Sequence, residues 1–298
     1  QFNNTEHAAN LFGLKEFGNI YSRLGNPTVG ALEARLTALE EGAMCVALSS
    51  GTSAVMYSLI NIMSQGDNFV TANQLYGGTY TMFDNILPEY GIDSKKVDIT
   101  DLAAVENAID DKTRAIYCET ITNPGLVVAD ISALSEIAHS KGIPLIVDAT
   151  FTTSAILKPF EYGADIVVYS LTKWMSGHGR VIAGAVIEKG GFDWGNGNFP
   201  LYDKPDTSYG GMRWGHDLGD LGNVAYSLRL RTVPLRNLGA NMGPETAFEV
   251  LSGLETLGLR MERHCENAIK AAEYLSNHEL VEWVRFPGLK DDPAYELS

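Results

Sequence analysis

Lys173 stands just after an apolar run, in DIVVYSLTKWMSGHG (165–179). An ammonium at the end of a buried strand is costly unless it stays solvated, pairs with an anion or becomes neutral. A lysine in that place can be a strand-end residue that snorkels to water. It can also be an amine that condenses with an aldehyde, burial lowering its pKa and making it nucleophilic. Ser170 and Thr172 flank it with hydroxyls suited to phosphate oxygens. Asp148 ends another apolar run, in IPLIVDATF (143–151). A carboxylate there can open an ordinary turn, or it can pair with a pyridinium nitrogen and keep the ring protonated. Gly51 and Thr52 lie in LSSGTSA (48–54), between a strand and a helix pattern. Free amides and the positive end of a helix dipole meet an anion well at such a place. One glycine turn alone is neither a dinucleotide fingerprint nor a P-loop.

Taken together these residues form one device. Gly51, Thr52, Ser170 and Thr172 make a phosphate cradle, Asp148 a ring-nitrogen partner and Lys173 an imine-forming amine. That combination describes a site for pyridoxal 5'-phosphate (PLP).

The elements that must position it are legible as a pattern. Short apolar strand candidates, CVAL (45–48), NFVTA (68–72), AIYCET (115–120), PLIVDA (144–149), DIVVYS (165–170) and GAVIE (184–188), alternate with helix-length segments. The latter are GALEARLTALEEG (30–42), TSAVMYSLINIM (52–63), DLAAVENAI (101–109) and ISALSEIAHSKG (131–142). Continuous apolar strands separated by helices predict an α/β fold with a mostly parallel sheet covered on both faces. Ligands then sit beyond the carboxyl ends of the strands. Residues 1–28 carry no apolar period and read as an arm, 29–243 as the large domain, with 190–243 rich in loops. From Gly243-Pro244 onward, apolar residues at steps of three and four from Phe248 to Leu275 predict a long linking helix with a break near Gly258. VEWVRF (281–286) alternates like the first strand of a smaller C-terminal domain, so 244–298 is expected to be the link and the beginning of that domain. The chain begins with Gln1 rather than Met, which suggests a further N-terminal piece.

Composition narrows the function classes. The 298 residues carry 22 Lys+Arg against 37 Asp+Glu, a net charge of −15, with no basic run. Nucleic-acid binding, which draws its affinity from clustered cations, is not expected. No apolar run approaches the ~20 residues of a membrane span. Cys45, Cys118 and Cys265 are widely spaced and form no metal or disulfide pattern, and two of them sit in apolar runs. A reducing cytoplasm is the expected compartment. The sequon at Asn3 is then fortuitous. No metal constellation stands out; His178 reads as a loop residue and His264 as a residue that packs or pairs on its helix.

YSRLGNPT (21–28), SSGTSA (49–54), YGGTY (76–80), ETITNPG (119–125), VDATF (147–151) and SLTKW (170–174) occur in the order found in the Cys/Met-metabolism, γ-family PLP enzymes. The chain resembles that family over essentially its whole length. EHAANLFGLKEFGNIYSR (6–23), SLTKWMSGHG (170–179) and LETLGLRMERHCENA (254–268) are most similar to its O-acetylhomoserine sulfhydrylase branch. Thr52-Ser53 and Ala149, where the family often has Asn, depart from its pattern. The resemblance implies a fold type I transferase in which Lys173 holds PLP and shuttles protons, and Asp148 pairs with the pyridinium. Tyr76 would stack on the ring and assist proton transfer, and Asn123 would bond the phenolic oxygen or the substrate carboxylate. Tyr21 and Arg23 would reach the phosphate of a neighbouring subunit, in a homotetramer built from dimers. The substrate-carboxylate arginine of the family would lie beyond Ser298. The implied reaction is γ-replacement on O-acetyl-L-homoserine by sulfide or a thiol. Methionine γ-lyase and cystathionine γ-synthase or lyase share the same motifs, and a cofactor-free α/β interaction module is the alternative outside enzymes. A nicotinamide site would need a G-x-G-x-x-G fingerprint after the first strand, which is lacking.

Overall fold

The apolar runs become strands because residues on both sides of each pleat are buried. The computed structural model describes residues 2–13, 15–16 and 18–297. Parts of the arm and of the segment 6–23 (Gln1, Leu14, Phe17), and the terminal Ser298, lie outside the described residues. The strands are β1 (Met44–Leu48), β2 (Asn68–Ala72), β3 (Asp93–Val97), β4 (Thr113–Glu119), β5 (Leu145–Asp148), β6 (Ile166–Tyr169) and β7 (Gly184–Glu188). They form one seven-stranded sheet in the order β1-β7-β6-β5-β4-β2-β3. Every residue of β2, β6 and β7 is buried, as it must be when helices cover both faces. Pairing is parallel except that β7 runs antiparallel to both β1 and β6. β1 therefore points the same way as β6, and the carboxyl ends of β1, β2, β4, β5 and β6 share one edge.

All six strand candidates are realised, and β3 adds a seventh that the apolar pattern did not reveal. β3, DSKKV, is an edge strand paired to β2 alone. Its lysines suit an edge, where charge blocks further pairing and no apolar run is needed. The helices begin where the sequence places caps. Asn26 accepts from the Thr28 amide at 3.0 Å ahead of Pro27–Glu40, which buries Val29, Leu32 and Leu36. Asp130 accepts from the Ala133 amide at 3.0 Å ahead of Ile131–Ser140.

The loop-rich stretch 190–243 carries a core of its own. Trp194 stacks on Tyr202 (ring centroids 5.0 Å apart) and on Tyr226 (5.1 Å), with Phe199 against its edge. These side chains are buried although no regular period announces them. The linking helix is two helices, Pro244–Leu254 and Leu257–Ser276; the break falls at Glu255–Thr256, and Gly258 lies inside the second. Leu254, Leu257, Met261 and Ala272 of the apolar stripe are buried, whereas Phe248, Ile269 and Leu275 are exposed. Thr5–Phe12 is a helix capped by Asn4, a short element within the expected arm. VEWVRF forms no strand: no described strand pairs with it, and Trp283 is exposed. No helix of the described residues is long and apolar enough to cross a membrane.

Candidate active site

A cavity of about 550 Å³ opens at the carboxyl edge of the sheet. Gly51, Thr52, Tyr76, Asn123, Asp148, Ser170, Thr172 and Lys173 all line it, together with Glu119, Thr150 and Trp174. Its size is that of a small-molecule site.

Gly51 and Thr52 are the first residues of the helix Gly51–Ile60. Ser50 caps the Ser53 amide at 3.0 Å, while the Gly51 and Thr52 amides meet no acceptor among the described residues. Those two N–H groups and the helix dipole can hold a dianion. Gly51 has to be glycine, since a Cβ there would lie 2.4 Å from Ser170 Cβ. The space such a Cβ would need is where the helix start and the β6 end meet, so the cradle is built from both. The Ser170 amide donates to Thr150 Oγ1 at 2.8 Å, which leaves the Ser170 hydroxyl at the cavity wall. The Thr172 hydroxyl is differently engaged: it donates to Ala183 O at 3.1 Å and accepts from the Ala183 amide at 3.0 Å. Its single proton thus fastens the loop before β7.

Asp148 ends β5, in register with Glu119 of β4. It accepts from the Thr150 amide at 2.9 Å and from the Tyr117 hydroxyl at 3.3 Å. Burial raises its pKa, and those hydrogen bonds oppose the rise. A cationic ring nitrogen is the partner that would restore a stable ionised form. Lys173 follows β6 in a tight turn, its amide donating to Ser170 O at 3.2 Å and its carbonyl accepting from Gly177 at 2.9 Å. The sequence expectation of a buried amine is corrected: Lys173 is exposed at the cavity wall, because the strand ends at Tyr169 and the turn carries the lysine out to the open edge. Its Nζ lies 6.0 Å from the centroid of the Tyr76 ring.

Tyr76 precedes the short helix Gly77–Thr81 with its side chain about half exposed. Asn123 lies in the loop after β4, preceding a cis Asn123–Pro124 bond. Tyr21 and Arg23 are not brought to this cavity within one chain. The Arg23 guanidinium sits 5.1 Å from the Tyr21 ring centroid and donates to Arg236 O at 2.6 Å. His264 packs tilted against Trp174, beside Lys173, with centroids 4.8 Å apart, and His178 Nδ1 bonds Ser176 O at 2.6 Å. Cys45 and Cys118 are buried free thiols and Cys265 a partly exposed one. No metal-holding group of side chains occurs among the described residues.

Two of the further wall residues, Glu119 and Thr150, engage the backbone around the site. Glu119 ends β4 as Asp148 ends β5, a matching signal at a strand terminus. Thr150 acts through both its amide and its hydroxyl, which no sequence period marks.

A helix-start anion cradle, a carboxylate at a buried strand end and an amine facing an aromatic ring fit PLP in size, charge and chemistry. The chain belongs to the Cys/Met metabolism PLP-dependent enzyme family, whose model matches residues 1–298. Its fold is that of fold type I PLP-dependent enzymes. It is 46% identical to the O-acetyl-L-homoserine sulfhydrylase of Leptospira meyeri, covering 100% of this chain and 68% of that protein. It is 45% identical to the homocysteine synthase of Schizosaccharomyces pombe, over 100% of this chain and 69% of that one. Among solved structures, a Campylobacter jejuni protein assigned as an O-acetylhomoserine (thiol)-lyase, with a pyridoxyl-lysine-phosphate residue, superposes with a TM-score of 0.95. That pair is 39% identical and covers 100% of this chain and 73% of the other. Cystathionine γ-lyase of Lactobacillus plantarum gives 0.79 at 33% identity, covering 95% and 65%.

Proposed function

We propose that this chain catalyses PLP-dependent γ-replacement on O-acetyl-L-homoserine, sulfide or a thiol displacing acetate to give L-homocysteine or, from methanethiol, methionine. The observation that carries the reading is the convergence of the Lys173 amine, the Tyr76 ring, Asp148 and the free Gly51 and Thr52 amides on one cavity. The sulfhydrylase branch is favoured by the 46% identity to the Leptospira enzyme.

PLP, when bound, supplies an electron sink for the substrate's Cα. Gly51, Thr52 and Ser170 hold the phosphate, and Asp148 accepts the ring N–H and keeps that proton on the ring. Lys173 Nζ would hold the cofactor at its aldehyde carbon, and the same amine would serve as the base for the substrate's Cα proton. Tyr76 orients the ring and shares the later proton transfers with Lys173, while Asn123 bonds the phenolic oxygen or the substrate carboxylate. Proton removal at Cα and then at Cβ lets the Cγ–O bond to acetate break, a Cγ–S bond form, and both protons return. Thr172 serves the site through the backbone it fastens to Ala183.

Tyr21 and Arg23, outside the cavity of their own chain, are assigned to the phosphate of a neighbouring copy, the planar guanidinium binding it bidentately. This reading takes 1–28 as an arm, 29–243 as the cofactor-binding domain and 244–298 as the linking helix and beginning of a smaller domain, in a homotetramer built from dimers in the cytoplasm. An active monomer in sedimentation would contradict the shared site.

The test is a product assay. Homocysteine and acetate from O-acetylhomoserine plus sulfide support the reading. Preferential release of α-ketobutyrate from methionine, or formation of cystathionine, reassigns the branch. Colourless protein that takes up no PLP overturns the enzyme reading.

A further inference from the structure

Glu119 is a buried carboxylate with no ion-pair partner among the described residues. The acid Asp148, its register partner on β5, adds to burial in raising its pKa. Such a group is costly to bury and needs a compensating role. Both of its oxygens are engaged, and neither by its own strand. Oε1 accepts from the Tyr76 amide at 2.7 Å, and Oε2 accepts from the Asn123 amide at 3.0 Å. Tyr76 and Asn123 are both exposed residues in separate loops. The two loops also touch directly, since a Cβ at Gly125 would lie 1.7 Å from Gln74 Oε1.

We propose that Glu119 is a positioning residue whose two oxygens tie the Tyr76 and Asn123 loops to the end of β4. It thereby sets the aromatic ring and the amide side chain against the cofactor without touching either substrate. The inference rests on the proposed roles of Tyr76 and Asn123. The ionised carboxylate suits it because it offers acceptors on both sides and no donor, and the two amide bonds favour that form against the rise in pKa that burial and Asp148 impose. Glutamine has the same shape but turns an NH2 toward one of the two amides, so it keeps one tether and opposes the other.

The test uses the holoenzyme and reads amide hydrogen exchange, with turnover as a second measurement. In E119Q, exchange at Tyr76 and Asn123 should rise at least tenfold while β5 and β6 amides keep their rates. The cofactor's visible absorbance should persist, and kcat should fall by about tenfold with a smaller change in KM. Unchanged exchange at both amides overturns the proposal. So does acceleration spread over the whole sheet, which would mark Glu119 as a support of overall stability. Should E119Q fail to fold, the unaltered protein decides. The Tyr76 and Asn123 amides should exchange at least a hundredfold more slowly than those of Gly77 and Gly125, and equal rates overturn the clamp. If the unaltered protein takes up no PLP, the function is wrong, yet the exchange comparison still judges the clamp.

Discussion

Gly51 and Ser170 approach so closely that a Cβ built on Gly51 would stand 2.4 Å from Ser170 Cβ and 2.8 Å from Ser170 Cα. The contact joins the start of the helix Gly51–Ile60 to the turn after β6. It brings the two halves of the phosphate cradle together. It also explains why the residue there is glycine although its backbone needs no positive φ.

Gly51→Ala should therefore force these two segments apart. Overpacking of this kind costs about 1–3 kcal/mol, and PLP affinity should fall by tenfold or more. Gly30→Ala, in the helix Pro27–Glu40 where an added Cβ meets nothing within 4 Å, should instead stabilise. The gain is about 0.5–1 kcal/mol. Thermal unfolding and a PLP titration compare the pair.

Lys173→Ala should remove the visible absorbance of the covalently held cofactor and lower turnover by at least the ~10²–10⁴-fold typical of a lost acid–base group. PLP should still bind noncovalently through the cradle. A variant that kept the unaltered spectrum would refute the assignment of Lys173.

Glu40 should make stability depend on pH. It is buried, its Oε1 accepts from the Tyr169 hydroxyl, and its Oε2 has no partner. Burial raises its pKa to about 7, against the lowering effect of the Tyr169 bond and Lys158. The folded protein holds this proton more tightly than the unfolded chain does. The contribution is thus fully present below about pH 4.5 and is lost as pH rises through about 7. The loss is at most on the order of 3 kcal/mol. Glu40→Gln keeps the acceptor for Tyr169 and cannot ionise. Relative to the unaltered protein it should gain stability at pH 8 compared with pH 5, measured as the difference in Tm at the two values.

Arg260 should matter to Lys173 without entering the cavity. From the helix Leu257–Ser276 its guanidinium donates to Trp174 O at 2.6 Å and to Gly253 O at 2.8 Å, and its Nε donates to Thr256 Oγ1 at 3.1 Å. A lysine cannot reproduce this fork. Arg260→Lys should cost about 2 kcal/mol and lower kcat more than it raises KM, because the turn carrying Lys173 loses its brace. Unfolding and steady-state kinetics check it.

Much of this was determined by the sequence alone. Asn26-Pro27 and Asp130 mark helix starts through caps that act over two and three residues, and the apolar runs from Cys45 to Glu188 specify strands by burial on both faces. The cradle, ring-nitrogen and amine residues were legible because each sits at the end of such a run. Only the tertiary structure decided that β7 runs against its neighbours and that the polar β3 closes the edge. It also decided that Lys173 stands exposed, that the Thr172 hydroxyl serves Ala183, and that Trp194, Tyr202 and Tyr226 form a core inside a loop-rich stretch. These depend on contacts between residues far apart in the chain, which leave no local period. The same is true of Glu119, whose partner Tyr76 approaches it only because β2 and β4 lie side by side, while Asn123 reaches it from the loop that leaves β4.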